Sequence, residues 1–243
     1  MSAVPNRREI NMPVPKLPLY LSGLLHPYHL AWWRRTLRKR SILTDWNERH
    51  QAIFVHIPKT AGTSVLAGLG APEIFDTHAP SRAWRAAYPA FYRKAYKFAF
   101  VRNPWDRFAS SFHFMKSGTD WQMQKSWAQT HIGDLSFREF IYRLENPLFR
   151  ASVLSERFFW PQTFWLGGAG GTGDIDKIYR FEALDSGMEQ LHARLGIAPP
   201  PRTPHLRKGD RPDFRSLYDE RMVDIVGRLY RHDTAALGYR FDS

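Results

Sequence analysis

FVHIPKTAGTSV, residues 54–65, passes from apolar to small and polar within a few positions and sets one lysine, Lys59, between a proline and a threonine. The run that leads into it, QAIFVHI (51–57), is short and apolar with β-branched and aromatic members, which reads as a buried strand. Pro58 ends that strand, and Thr63 to Gly70 reads as a short helix. A helix that starts directly after a parallel strand offers free N–H groups and the positive end of its dipole to an anion. Gly62 lets backbone approach a ligand closely, Thr60, Thr63 and Ser64 supply hydroxyls, and Lys59 supplies a mobile positive charge. A purely structural turn, capped by Thr63 with Lys59 in solvent, is the competing reading. A Walker motif places its lysine at the end of the loop, after the second glycine. Here the lysine precedes the glycine, so that template fails.

The same logic recurs in FAFVRNPWDRFASSF (98–112). YKFAFVR (96–102) reads as a second buried strand, Asn103-Pro104 as an N-cap followed by proline at the first helical position, and Trp105 to Met115 as the helix. Arg102 then stands at the carboxyl end of its strand, where open α/β sheets bind ligands. Its guanidinium is a permanently charged, bidentate fork for a phosphate, and Ser110, eight residues on, can add a hydroxyl. A strand-end salt bridge is the alternative for Arg102. Asp106 and Arg107 pair or cap within the first turn, or face solvent.

Further along, SFREFIYRL (136–144) has the spacing of an amphipathic helix, with Ser136 as cap and Glu139 three residues on. DKIYRF (176–181) reads as a third strand, followed by a helix from about Leu184 to Leu195. Residues 212–239 read as a long, interrupted C-terminal helix, and GGAGGTGD (167–174) as a plain glycine-rich loop. Strands alternating with helices predict an α/β fold with a central parallel sheet flanked by helices.

Composition sets the outer bounds. The 243 residues suffice for one sizeable core, and 43% hydrophobic residues argue against disorder. A net charge of +12 favours anionic partners: nucleotides, nucleic acid, acidic glycans or an anionic membrane. The chain has no cysteine, which excludes disulfides, thiolate metal sites and a cysteine nucleophile. No apolar run approaches the roughly 18 residues of a membrane span, and the first 20 residues carry charge and proline where a signal peptide needs an apolar core. A cytoplasmic protein is the expectation. Residues 1–18, with four prolines, read as a flexible arm. Residues 19–50 read as a basic, aromatic N-terminal segment with five basic residues between Arg34 and Arg40, and residues 51–243 as the main domain. The basic run is either a solvated helix face or a peripheral contact with an anionic membrane.

Taken together, IPKTAGTS resembles the 5′-phosphosulfate loop of sulfotransferases, and FVRNPWDRFASSF resembles their 3′-phosphate segment. The pair is similar to the sulfotransferase family that contains heparan sulfate 2-O-sulfotransferase and the HNK-1-type carbohydrate sulfotransferases, with many bacterial members. IYRFEAL (178–184) and residues 205–241 resemble two later blocks of that family, the second typically ending in Asp and then Leu/Phe-Gly-Tyr. The resemblance covers roughly residues 51–241. It implies a P-loop-like three-layer fold and the donor 3′-phosphoadenosine 5′-phosphosulfate, with no metal. By position, Lys59, Thr60, Ala61, Gly62, Thr63 and Ser64 would hold the 5′ end, and Arg102 and Ser110 the 3′-phosphate. The acceptor implied is a carbohydrate hydroxyl, with acidic and lipid-linked glycans among the candidates. Animal Golgi members carry a membrane anchor and disulfides; their absence here favours a bacterial, cytoplasmic enzyme.

Sulfuryl transfer needs in-line geometry, charge neutralisation at the leaving oxygen, and a base for the acceptor hydroxyl. Lys59 suits the second task. Ten histidines compete for the third. His78, in IFDTHAPSRAW, is the choice, because members of this family commonly have a histidine there; Asp76 could orient it. His56 is expected to pack along its strand, and His113 and His205 are weaker candidates. Arg82 and Arg85, three apart, would share a helix face and either meet an acidic acceptor or solvent. Gln162 in WPQTFW matches a glutamine often found in the family, without an evident role. Arg207-Lys208-Gly209 is similar to a 3′-phosphate motif of cytosolic sulfotransferases, in a different context. Two other classes stay open: a P-loop-type nucleotide kinase, and a non-catalytic basic module for acidic glycan or nucleic acid.

Overall fold

The computed structural model describes residues 42–72, 78–117, 122–167, 171–199 and 213–243. The chain runs α1 (Asp45–His50), β1 (Ala52–Phe54), α2 (Gly62–Gly68), α3 (Ser81–Ala87), α4 (Pro89–Lys94), β2 (Tyr96–Val101), α5 (Pro104–Lys116) and α6 (Gln122–His131). It continues with α7 (Phe137–Arg143), α8 (Pro147–Val153), α9 (Gln162–Leu166), β3 (Lys177–Arg180), α10 (Leu184–Leu195), α11 (Glu220–Leu229) and α12 (Arg231–Leu237). Among the described residues the strands form one parallel sheet in the order β1-β2-β3. Phe54 stands beside Phe98, and Phe98 beside Lys177. All three carboxyl ends therefore lie along one edge.

Period-two alternation sorts the strand residues into two layers. Ile53, Val55, Ile57, Ala99 and Val101 face α3, α4 and the Trp160–Trp165 pair. Ala52, Phe54, Phe98, Phe100 and Tyr179 face α2, Trp46 of α1, and Met188 and Leu191 of α10. A parallel sheet covered on both faces needs this near-continuous apolar run, which is why β1 and β2 were legible. A third cluster, built on Trp105, Phe108 and Phe112 of α5 with α7 and α11, forms a helical lobe beside the sheet.

Local signals explain the element boundaries. Asn103 caps α5 by accepting from the Trp105 N–H, with Pro104 as the first helical residue. Ser136 and Glu139 form a reciprocal capping box at α7. The interruptions expected in the C-terminal helix divide it into a 3-10 turn at Phe214–Leu217, then α11, then α12. The core also begins before residue 51. Thr44 and Asn47 form a capping box at α1, Ile42 is buried, Trp46 Nε1 donates to Leu69 O (3.1 Å) and Asn47 Nδ2 to Ala52 O (2.9 Å). The expectations for residues 1–18 and for the basic run 34–40 lie outside the described residues, as do Asp76, His205, Arg207-Lys208-Gly209 and part of the 167–174 loop.

Candidate active site

The loop from β1 to α2 is built on unusual backbone. Lys59 (φ 69°) and Ala61 (φ 65°) both sit in the left-handed region without being glycine. Such a residue costs about 1 kcal/mol and persists where its surroundings fix it. Between them Thr60 is fully buried and its Oγ1 donates to Ile57 O (2.9 Å). The hydroxyl expected to reach a ligand is thus spent on bracing the loop. Ala61 occupies the N-cap position of α2 with no side-chain cap, and the first helical bond runs from Val65 N to Ala61 O (3.0 Å). The N–H groups of Gly62, Thr63 and Ser64 precede that bond. Among the described residues the half-buried hydroxyls of Thr63 and Ser64 make no hydrogen bond, and Thr63 does not cap the helix.

Gly62 has a further reason beside the one expected. A Cβ there would lie 1.7 Å from His56 Nε2, so glycine also makes room for a histidine ring. His56 is buried, stacked on Phe54 (5.1 Å, 14°) and 4.0 Å from the ring of His78. His78 is half-buried, and its Nδ1 lies 2.9 Å from His56 O. A carbonyl can only accept, so Nδ1 carries the proton and Nε2 carries the lone pair. Among the described residues no hydrogen bond occupies Nε2. Burial, followed by the positive charges of Arg157, Lys59 and Arg107, pushes the His78 pKa down to about 3, against the raising effect of the His56 carbonyl. The ring is therefore neutral at pH 7. Those same contributions place Arg157, Lys59 and Arg107 in one electrostatic neighbourhood with His78. His113 instead stacks on Phe137 (5.7 Å) in the helical lobe.

At the end of β2, Arg102 is pinned on several sides. Its Nε and Nη2 donate to the two carboxylate oxygens of Asp106 (2.6 and 2.7 Å), and its Nη1 donates to Lys59 O (3.3 Å). Its guanidinium stacks 4.1 Å above the Phe181 ring. Asp106 is thus a partner of Arg102 and not part of a solvated face. The bond to Lys59 O joins the first loop to the second strand. Ser110 is buried on α5. It shares a helix face with Arg107 and Phe114, three residues before and four after. Arg107 donates to Pro58 O (3.0 Å), and the ring of Phe114 lies 4.0 Å from Lys59 Nζ. That face therefore looks onto the first loop, which brings Lys59, Arg102 and Ser110 to one corner.

Several residues that hold this corner escaped sequence reasoning. Arg107 is fully buried and donates Nε to Pro58 O, Nη1 to Trp160 O (2.9 Å) and Nη2 to Phe158 O (3.1 Å). Burial lowers its pKa, and three carbonyls satisfy its donors. Gln162 now has a role. Its Oε1 accepts from Arg102 N (2.9 Å) and its Nε2 donates to Arg102 O (2.7 Å), so it pairs with the strand end as another strand would. Fully buried Asp233 accepts from Gln162 N (2.7 Å), Thr163 N (2.9 Å) and Thr163 Oγ1 (2.8 Å), and burial raises its pKa. Glu182 accepts from Asn103 N (2.6 Å) and from Tyr239 Oη (2.8 Å). The signals were present in WPQTFW, YRFEAL and DTAALGY, but each partner lies far off in sequence. Of the two arginines on α3, Arg82 donates through Nε to Gly167 O, and Arg85 is exposed.

Among the described residues no group of three or more His, Asp and Glu side chains is placed to hold a metal, and no helix is long and apolar enough to cross a membrane. No curated protein and no solved structure matches the chain. A family model does, over residues 44–240, which takes in α1, the segments that follow β1 and β2, and the Asp233–Tyr239 segment. With that match spanning most of its length, the chain belongs to the sulfotransferase family.

Proposed function

We propose that this chain transfers a sulfuryl group from 3′-phosphoadenosine 5′-phosphosulfate to a hydroxyl of a carbohydrate acceptor. One observation carries the reading: Lys59, the first turn of α2 and the guanidinium of Arg102 meet at the carboxyl edge of the sheet, joined by the Arg102 Nη1 bond to Lys59 O. Two anion-seeking elements side by side suit a nucleotide with phosphate at both ends of its ribose, more than a single phosphate or a diffuse nucleic-acid contact.

The residues divide the chemistry as follows. Lys59, with the N–H groups and hydroxyls of Thr63 and Ser64, would hold the 5′ end, and Arg102 with Ser110 the 3′-phosphate. As the acceptor oxygen bonds to sulfur, the bond from sulfur to the bridging oxygen breaks and its electron pair stays on the nucleotide. Lys59 neutralises that growing charge. The acceptor proton passes to Nε2 of His78, whose Nδ1–H stays anchored on His56 O. A general base works best with a pKa near the working pH. The donor's negative charge opposes the cationic part of the downward shift and so moves His78 toward that range. The neighbourhood of Arg157 and Lys59 favours an anionic glycan acceptor. We also propose a cytoplasmic site of action, with the 34–40 basic run meeting anionic membrane; failure to sediment with anionic vesicles would remove that contact.

The test is thermal stability with adenosine 3′,5′-bisphosphate, AMP, ADP and Mg·ATP, followed by sulfate transfer to a panel of glycans. At one hundred times its dissociation constant a ligand adds about 2.7 kcal/mol of stability. For a chain of this size that raises Tm by roughly 5–10 °C. A rise selective for the bisphosphate, lost in Lys59→Ala and Arg102→Ala, is the expected result. A rise with Mg·ATP alone would favour a kinase and sink the proposal.

A further inference from the structure

The ion pair of Arg102 with Asp106 poses a question that the donor assignment leaves open. A carboxylate already sits on the arginine that is meant to hold a phosphate. It either competes with the ligand or prepares the site for it, and the donor count decides. A guanidinium has five N–H groups. Asp106 takes those of Nε and one on Nη2; Lys59 O takes one on Nη1. Among the described residues one N–H then remains on each terminal nitrogen. Asp106 occupies the side edge of the plane, formed by Nε and Nη2, which leaves one N–H on Nη1 and one on Nη2 as donors for phosphate oxygens.

We propose that Asp106 is a positioning residue for the 3′-phosphate. It holds the side edge of Arg102 so that the remaining N–H groups are presented to the ligand, with Phe181 fixing the plane from one face. This rests on the reading of the site as a donor-nucleotide pocket. The geometry supports aiming over competition on three counts. Both carboxylate oxygens are used, at 2.6 and 2.7 Å. The pair is largely enclosed, with side-chain exposures of 13% and 18%. Asp106 lies one helical turn after Arg102, so the hold is local and does not depend on the distant parts of the fold. An unheld arginine would have to lose its rotamer freedom on binding.

The experiment is titration calorimetry of the full chain and its variants with adenosine 3′,5′-bisphosphate and, in parallel, with AMP, which lacks the 3′-phosphate. Asp106→Ala should weaken the bisphosphate about tenfold, or 1.4 kcal/mol, and leave AMP within about twofold. Asp106→Asn keeps one acceptor oxygen and the side-chain volume, and should fall between. In an Arg102→Ala background, Asp106→Ala should cost nothing further. Equal losses for both ligands would reduce Asp106 to general fold support and overturn the proposal. Tighter bisphosphate binding in Asp106→Ala would show that the carboxylate competes, and would overturn it too. A wild-type chain that ignores the bisphosphate would instead overturn the donor assignment, and the proposal with it.

Discussion

Gly62→Ala gives a sign test of how the first loop is packed. On helix propensity alone the change should help, since glycine in a helix interior is worse than alanine by about 0.5–1 kcal/mol. The packing says otherwise. The new methyl would lie 1.7 Å from Nε2, 2.0 Å from Cδ2 and 2.6 Å from Cε1 of His56. Ordinary contact is about 3.5–4 Å, so the ring must move by roughly 2 Å. It has nowhere easy to go: His56 is 6% exposed and lies between the Phe54 and His78 rings. Overpacking of this kind costs about 1–3 kcal/mol, and more when rings must shift together. Net of the helix gain, we expect a loss of about 1–2 kcal/mol, or a Tm lower by roughly 2–8 °C in a chain of this size. Thermal melts by circular dichroism are sufficient. The partner experiment removes the obstacle: in a His56→Ala background, Gly62→Ala should raise Tm, because only the helix gain is left. An unchanged or higher Tm for Gly62→Ala in the wild type, or the same drop in both backgrounds, would refute the packing argument.

Other outcomes follow from the same geometry. Lys59→Ala should fold, since alanine tolerates the left-handed backbone as lysine does, yet lose 100-fold or more in turnover if Lys59 neutralises the leaving oxygen, a loss of about 2.7 kcal/mol in transition-state binding; a loss below tenfold would remove it from the chemistry. Arg107→Met leaves the carbonyls of Pro58 and Trp160 without the arginine's donors and Phe158 O with only Ser111 Oγ. Urea unfolding should show about 3–5 kcal/mol of destabilisation, and a change under 1 kcal/mol would mean the buried guanidinium is dispensable. His78 is held neutral down to a pKa of about 3, against 6.5 when unfolded. The unfolded chain therefore binds the extra proton first, so this contribution is full above pH 6.5 and is lost as pH falls toward 3. His78→Asn should flatten that part of the urea midpoint against pH; an unchanged slope would count against the buried neutral ring. Asp233→Ala removes the acceptor for three donors at the start of α9 and, through Gln162, loosens Arg102, so bisphosphate affinity should fall along with Tm. A drop in Tm with affinity intact would uncouple the two.

What was legible in the sequence was mostly local. Ser136 with Glu139, Asn103 with Pro104, and the helix ending at Leu195 depend on neighbours a few residues apart, and all appear in the fold. β1 and β2 showed because burial on both faces leaves no polar alternation to mislead, whereas β3 keeps Lys177 and Arg180 exposed. The corner residues Lys59, Arg102 and Ser110 could be placed because each follows from the end of a strand or the turn of a helix. The supporting shell was hidden for the opposite reason. Nothing in the spacing of Gln162 and Asp233, 71 residues apart, or of Asn103 and Glu182, 79 apart, says that they meet. For Asp106 and Arg107 the spacing left pairing, capping and a solvated face open, and only the packed lobe around α5 shows Arg107 enclosed and Asp106 paired. The start of the core was lost in composition: the Thr44–Asn47 box follows a basic, aromatic stretch and was grouped with it rather than with the main domain.

The hold on Arg102 also has an order in time. Synthesis delivers β1, β2 and β3 before it delivers Asp233 and Tyr239, so a chain still on the ribosome has its strands but neither the Asp233 carboxylate that accepts from Gln162 N nor the Tyr239 hydroxyl that donates to Glu182. Until α12 and Tyr239 emerge, Arg102 has its local hold on Asp106, but Gln162 and Glu182, which brace the strand end around it, lack their C-terminal partners. A nascent chain stalled short of α12 should therefore hold a nucleotide less firmly than the released chain.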